Sequence, residues 1–252
     1  MSGRRRVGLT GIGLTVATGL FAGVAAAQST NRDLFEELNT QLLYVALPLS
    51  IFVLLILVYA TVKFYDNDDP KPTGEDPALE ITWTAATALI LLFVGVSGYT
   101  VLVSPYMSPG HPTELAGAET NPETPPETDD LEVLVTGYQW GWETEYPDYD
   151  IMTEDAVVIP ADEDVTIWLT SRDVIHGFFA SELGFKQDAY PEEFTRIKTN
   201  VYETGEYTVH CTQFCGAGHA RMDATVVVLE PEEYDEWLEE NDGEGVVEPP
   251  TA

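Results

Sequence analysis

The way apolar and polar residues follow one another divides the chain into parts. From Leu42 to Val62, "LLYVALPLSIFVLLILVYATV", 21 residues pass without a charge, and from Ile81 to Val103, "ITWTAATALILLFVGVSGYTVLV", 23 do so. An apolar run of about 18 residues or more can cross a bilayer, whereas core helices are shorter and keep a polar face. Two such runs in tandem predict a transmembrane hairpin, with spans at about 42–62 and 81–103. Beyond residue 131 the texture changes. "LEVLVTGYQW", "DAVVIP", "DVTIWLT", "FTRIKTNVYE", "GEYTVHC" and "MDATVVVLE" are short runs rich in Val, Ile, Thr and Tyr, separated by turn-forming residues. Runs of this kind read as strands, and their spacing predicts an all-β sandwich or barrel over residues 131–240. Residues 105–130 lie between the two parts. Their "PTELAGAETNPETPPETDD" has no hydrophobic period and cannot bury enough surface to fold alone, so they read as a linker. The end of the chain reads as a short helix followed by a flexible acidic tail over 241–252.

The first residues carry a different pattern. Arg4, Arg5 and Arg6 precede a Gly- and Ala-rich apolar stretch that ends in Ala25-Ala26-Ala27, an A-x-A cleavage site before Gln28. That is the form of a secretory signal peptide over residues 1–27, with an uncleaved third span as the alternative. Removal of the signal leaves residues 28–104 as the hairpin, with everything after Val103 outside the cell membrane. Lys63 and Lys71 lie between the spans and Arg32 alone on their outer flanks, the asymmetry expected when that short loop is inside.

Charge alters the picture next. The chain has 43 acidic and 11 basic residues, and 34 of the acidic and 5 of the basic ones follow Val103, a net −29 on the exterior part. Such a surface disfavours nucleic acid as a partner. Self-repulsion of this size is tolerable where salt screens it, with a Debye length of about 3 Å at 1 M. The acidity is therefore read as a property of the solvent, and the source as an extreme halophile.

Candidate chemistry is concentrated in one loop. The chain has only 2 cysteines and 4 histidines, and both cysteines and two of the histidines fall in "HCTQFCGAGHARM", residues 210–222. Cys211, Cys215, His219 and Met222 follow the spacing C-x3-C-x3-H-x2-M, between a strand that enters and a strand that leaves. Thiolate, imidazole and thioether together suit copper. A small disulfide would leave the His and Met without a purpose. A structural zinc site takes Cys and His but not Met. A mononuclear blue-copper site uses one Cys, two His and a Met, and would leave one Cys over. Two cysteines fit better if both thiolates bridge a pair of coppers, which requires a second histidine. His176 in "SRDVIHGFFA", at the end of a predicted strand, supplies it.

This constellation resembles subunit II of the haem–copper cytochrome c oxidases. "LGFKQDAYPEEF" is similar to that family's L-G-x-K-x-D-A-x-P-G segment, with Glu192 where glycine is usual; "GYQWGWETEY" is similar to its aromatic stretch and "LEITWT" to the start of its second span. The resemblance implies a cupredoxin-like Greek-key domain carrying a binuclear copper centre, CuA. It implies Cys211 and Cys215 as bridges, His176 and His219 as terminal ligands, Met222 as a weak ligand and the backbone carbonyl of Gln213 as another. Many members have a glutamate that also helps bind magnesium where this chain has Gln213. The resemblance further implies that Trp140 is the point at which electrons enter, with Trp142 left to packing, and that Glu80 stands at the mouth of a proton path. His210 adjoins Cys211 but faces the other way on a strand, and His111 reads as a surface residue. The implied partners are the oxidase catalytic subunit I, membrane lipid, and an electron donor that is a cytochrome c or a small blue-copper protein. The implied activity is that of a proton-translocating oxidase reducing dioxygen to water. The rival readings are a membrane-tethered copper-delivery protein, which has no use for Met222 and His176, and the CuA domain of a nitrous-oxide reductase, which carries no such hairpin. A quinol oxidase subunit lacks the two cysteines.

Overall fold

The computed structural model describes residues 28–70, 72, 74–107 and 128–252; the signal segment, Lys71, His111 and most of the linker lie outside the described residues. Two helices come first, α1 over Thr30–Phe64 and α2 over Pro77–Leu102. At 1.5 Å per residue α1 is about 52 Å long and α2 about 39 Å, against a hydrocarbon core of about 30 Å. Both are long and apolar enough to cross a membrane, and scarcely any of their apolar side chains are buried within the chain. The excess length of α1 is its polar first turns, with Asp33, Glu36 and Glu37. Each helix starts on a capping side chain. Ser29 accepts from the Arg32 amide, and Asp76 accepts from the Ala78 and Leu79 amides ahead of a proline at the first helical position.

The exterior part is a sandwich of two sheets. Its strands in chain order are β1 (Leu131–Tyr138), β2 (Gly141–Tyr146), β3 (Ile151–Glu154), β4 (Ala156–Pro160), β5 (Asp164–Ser171), β6 (His176–Ala180), β7 (Phe185–Ala189), β8 (Thr195–Asn200), β9 (Gly205–Cys211), β10 (Asp223–Leu229) and β11 (Gly245–Val246). One sheet has the order β11-β3-β2-β1-β5-β8 and the other β4-β10-β9-β6-β7. The core between them holds Val133, Trp142, Ile159, Ile167, Phe178, Val209 and Val226, all fully buried. The two sheets are also tied by polar contacts: the Tyr146 hydroxyl takes the Val158 amide, and Thr144 Oγ1 donates to the Ala156 carbonyl. Helix α3 (Pro231–Asn241) closes one end, with Tyr234, Trp237 and Leu238 buried and Trp237 edge-on to Tyr146 at 5.1 Å. The expected hairpin plus two-sheet, cupredoxin-like domain is the architecture found.

Three local expectations change. His176 opens β6 rather than ending a strand, because the residues before it, Arg172 to Ile175, form the exposed loop after β5. Trp140 was expected within the first strand, but β1 stops at Tyr138 and Trp140 stands in the turn to β2. The acidic end, expected as a flexible tail from residue 241, includes β11, whose Gly245 and Val246 pair with Ile151 and Met152 of β3.

The outer ends of the hairpin are laced to the sandwich. Asn31, fully buried, donates through Nδ2 to the carbonyls of Tyr106 (2.6 Å) and Lys198 (3.0 Å). Ser29 forms a backbone bridge with Val201, and Tyr202 donates to Asp33 at 3.1 Å. The start of α1 and the stretch after α2 therefore meet at the same end of the domain, as a hairpin with both outer ends on one side requires.

Candidate metal centre

Strand alternation builds the first wall of the site. Along β9, Tyr207, Val209 and Cys211 face the core while Glu206, Thr208 and His210 face outward. His210 accordingly meets Asp223 across the β9–β10 pair at 2.7 Å, on the exposed side. After Cys211 the chain leaves the sheet, passes a short 3-10 turn over His219–Arg221, and returns through Met222 to β10. The backbone closes the loop where the Cys211 amide donates to the Met222 carbonyl at 3.0 Å. β6 lies beside β9, and its first residue, His176, is fully buried against the same point.

The donor atoms converge. Cys211 Sγ and Cys215 Sγ are 3.8 Å apart, far beyond the roughly 2.05 Å of a disulfide, and both thiols are free and buried. His176 Nδ1 is 3.9 Å from Cys211 Sγ and 3.1 Å from Met222 Sδ. Cys215 Sγ is 3.6 Å from His219 Nδ1 and 3.6 Å from Met222 Sδ, and Cys211 Sγ is 3.3 Å from the Gln213 carbonyl. Among the described residues, the ligand atoms of His176, Cys211 and Cys215 all lie within 4.8 Å of one another. Of the predicted set, then, His176, Cys211, Gln213, Cys215, His219 and Met222 are brought together. Glu80 is not part of it. It lies exposed in the first turn of α2, where a carboxylate favours the helix dipole.

Electrostatics fit a cation. Burial pushes the Cys215 thiol up to about 11, and the neighbouring Cys211 adds to the effect. Two adjacent buried thiolates are costly on their own, and a bound soft cation removes that cost because it holds the thiolate form. His176 is oriented for it. Its Nε2 meets Asp173 Oδ1 at 2.8 Å, which leaves Nδ1 pointing at the sulfurs as a lone-pair donor. Burial alone would raise the Asp173 carboxyl. Hydrogen bonds from His176 and from the Val174 and Gln139 amides outweigh it and hold the carboxyl below its ordinary value.

Two tryptophans two residues apart separate here. Trp142 is fully buried, edge-on to His176 at 5.8 Å and to Phe178 at 5.0 Å. Trp140 is 44 % exposed and rests on the backbone of the metal loop. Its Nε1 donates to the Cys215 carbonyl at 3.3 Å, and a Cβ at Gly218 would overlap the Trp140 ring, so only glycine admits the contact. Gln139 Nε2 donates to the same carbonyl at 2.6 Å. The sequence analysis assigns no role to Asp173 or Gln139, although Asp173 stands three residues before His176 and Gln139 lies in the matched aromatic stretch.

Comparison with known proteins gives consistent matches. Residues 150–229 match the family model described as cytochrome c oxidase subunit II, periplasmic domain, and residues 16–101 match that of its transmembrane domain. The first of these stretches contains all six converging residues. A probable cytochrome c oxidase subunit 2 of Rickettsia felis is 30% identical over 231 residues, covering 81% of this chain and 68% of that protein. Its counterpart in Rickettsia bellii is 30% identical over 220 residues, covering 78% and 75%. A crystal structure of the periplasmic domain of subunit II of cytochrome oxidase from Bradyrhizobium japonicum is similar at 28% identity, covering 46% of this chain and 94% of that one, with a TM-score of 0.43.

Proposed function

The chain belongs to the cytochrome c oxidase subunit II family, the electron-transfer subunit of a membrane oxidoreductase, and from that premise we propose that its exterior domain holds two coppers on Cys211, Cys215, His176, His219, Met222 and the Gln213 carbonyl. The observation that carries the reading is the donor set itself, two thiols, two imidazoles and a thioether in contact at one buried point. Zinc would leave Met222 idle, and a single copper would leave one thiol idle. A copper pair held by these residues would supply one-electron transfer, with the charge change shared between two ions.

The residues of the chain do the rest. Cys211, at the end of a strand, and Met222, at the start of the next, are fixed by the β9–β10 ladder, so the site does not need to rearrange as its charge changes. Asp173 holds the His176 ring in one tautomer. Trp142 and Phe178 exclude water behind it. Trp140, exposed above the loop and bonded to the Cys215 carbonyl, is the residue on which a donor, a cytochrome c or a small blue-copper protein, sets down its electron. An electron held there would pass toward haem in catalytic subunit I for reduction of dioxygen to water, and Glu80 would border a proton path into that subunit. Metal analysis of the purified full-length chain tests the reading. Two coppers per chain are expected; one copper, or zinc, overturns it.

A further inference from the structure

Between the two cysteines the loop has little to hold it. Thr212 and Phe214 are exposed, and Phe214, at 83 % exposure, has its ring edge-on to His219 at 5.8 Å between ring centres. Gln213 between them is different. Its Nε2 donates to Asp188 Oδ2 at 2.6 Å, reaching from the loop to β7 in the sheet. The other carboxylate oxygen, Asp188 Oδ1, is buried and has no hydrogen-bond partner among the described residues. The amide of Gln213 thus donates to this carboxylate from the loop, and a bond to a charged acceptor is about twice as strong as a neutral one.

Three segments have to approach closely for this bond to form. Gly177 in β6 stands opposite Asp188 in β7, and its carbonyl takes the Thr212 amide at 3.0 Å. A Cβ at Gly177 would overlap Thr212 Oγ1 and stand 3.1 Å from the Gln213 amide nitrogen and 3.2 Å from Asp188 Oδ1. Glycine there lets the loop settle onto the sheet. The side chain of Gln213 is thus anchored on one side while its own carbonyl lies 3.3 Å from Cys211 Sγ on the other.

We propose that Asp188 is a positioning residue for the metal centre, acting through the Gln213 side chain to aim the Gln213 carbonyl at the cysteine pair. The proposal rests on the copper reading above. In this chain the amide at position 213 gives Asp188 a donor, which a carboxylate in its place does not.

The test uses the full-length chain in detergent at molar salt, with four variants: Asp188→Ala, Asp188→Asn, Gln213→Glu, and the exchange Asp188→Asn with Gln213→Glu. Three quantities are read: copper release to a chelator, the midpoint potential of the copper band, and hydrogen exchange of the 211–215 amides in the metal-free chain. Asp188→Ala and Gln213→Glu are expected to release copper and exchange amides at least tenfold faster than the parent, and to shift the potential. Asp188→Asn retains an acceptor oxygen but loses the charge, and is expected to fall between the parent and Asp188→Ala. The double variant restores one amide facing one carboxylate and is expected to recover the parental rates, a non-additivity diagnostic of direct contact. Parental behaviour of Asp188→Ala overturns the proposal. So does an effect of Asp188→Asn as large as that of Asp188→Ala, since the carboxylate's charge would then carry it, and so does additivity in the double variant. Should Asp188→Ala fail to fold, the Gln213→Glu variant and its rescue decide the matter. If the parent takes up no copper pair, the reading of the site fails, while amide exchange in the metal-free chain still decides whether the brace exists.

Discussion

The two ends of the sandwich handle buried polar groups in opposite ways. At the membrane end, charges are matched to charges. Lys198 Nζ sits 2.7 Å from Asp130 and 3.1 Å from Asp164, and Asp164 also takes the Tyr106 hydroxyl at 2.7 Å and Asn200 Nδ2 at 3.1 Å. At the other end, two thiols, a thioether and two imidazoles crowd together with no side-chain cation among them. The first arrangement is complete as it stands and fastens the domain to the hairpin. The second becomes favourable only with a cation present, which is what separates a structural cluster from a binding site.

The largest break in that contrast comes from the sulfurs. Cys211→Ser and Cys215→Ser are each expected to abolish the copper band and the second copper, because either change removes one of the two thiols that the proposed copper pair needs. The metal-free melting temperature is expected to stay near that of the parent, since serine fits in the same space. Absorption spectra and melts of the apo proteins check both halves.

Salt acts on the whole exterior part. With a net −29 after Val103, lowering salt from molar to about 0.1 M lengthens the Debye length from about 3 Å to about 10 Å and restores self-repulsion. Loss of folding or of copper is expected over that range. A thermal melt indifferent to salt would remove the halophilic reading and leave the metal site untouched.

A smaller break comes at the membrane end. Lys198→Met leaves two partly buried carboxylates without their cation, at a cost of about 2 kcal/mol once partial exposure is allowed for. The copper spectrum is expected to remain unchanged. The pH dependence has a defined sign. Burial opposes the charged form of Asp164, but the bonds from Tyr106, Lys198 and Asn200 prevail and lower its pKa; burial also opposes the charge of Lys198, but Asp130 and Asp164 prevail and raise it. A depressed carboxyl stabilises above its ordinary value near 3.9 and loses that effect as pH falls below it; a raised amine stabilises below about 10.4 and loses it above. The difference between parent and Lys198→Met is therefore expected to be constant from about pH 5 to 9 and to shrink on both sides, as measured by denaturant unfolding.

How much of this was readable from sequence depends on the physical signal each part leaves. The helices were plain because uncharged runs of 21 and 23 residues have few other uses. Strand β9 was plain because "GEYTVHC" alternates, and its alternation also placed Cys211 inward and His210 outward. β7 was missed because "FKQDA" pairs only its ends with the core, and β6 because "HGFFA" is buried on nearly every residue. The sulfur and imidazole donors stood out by rarity. Their supports did not: Asp188 falls in the matched L-G-x-K-x-D-A stretch and Asp173 three residues before His176, yet only their distances to Gln213 and His176 show what they hold.

The smallest expected effect is the sharpest test of where electrons enter. Strand alternation would place Trp140 and Trp142 on one face, yet the turn after Tyr138 sends one to the surface and the other to the core. In molar salt, long-range attraction of a donor decays within a few ångströms. Docking must then rely on apolar contact at short range, and Trp140 offers it directly above the Cys215 carbonyl. Trp142→Ala is expected to cost about 3–5 kcal/mol of stability, as removal of a buried aromatic does. Trp140→Phe and Trp140→Ala are expected to leave stability and the copper spectrum unchanged while slowing reduction by the native donor about tenfold, equivalent to roughly 1.4 kcal/mol of barrier. Stopped-flow reduction of each variant at molar salt, with the copper spectrum as control, measures this. Reduction of the Trp140 variants at the parental rate would move the point of electron transfer elsewhere on the exposed surface of the loop, with Phe214 the next residue to substitute.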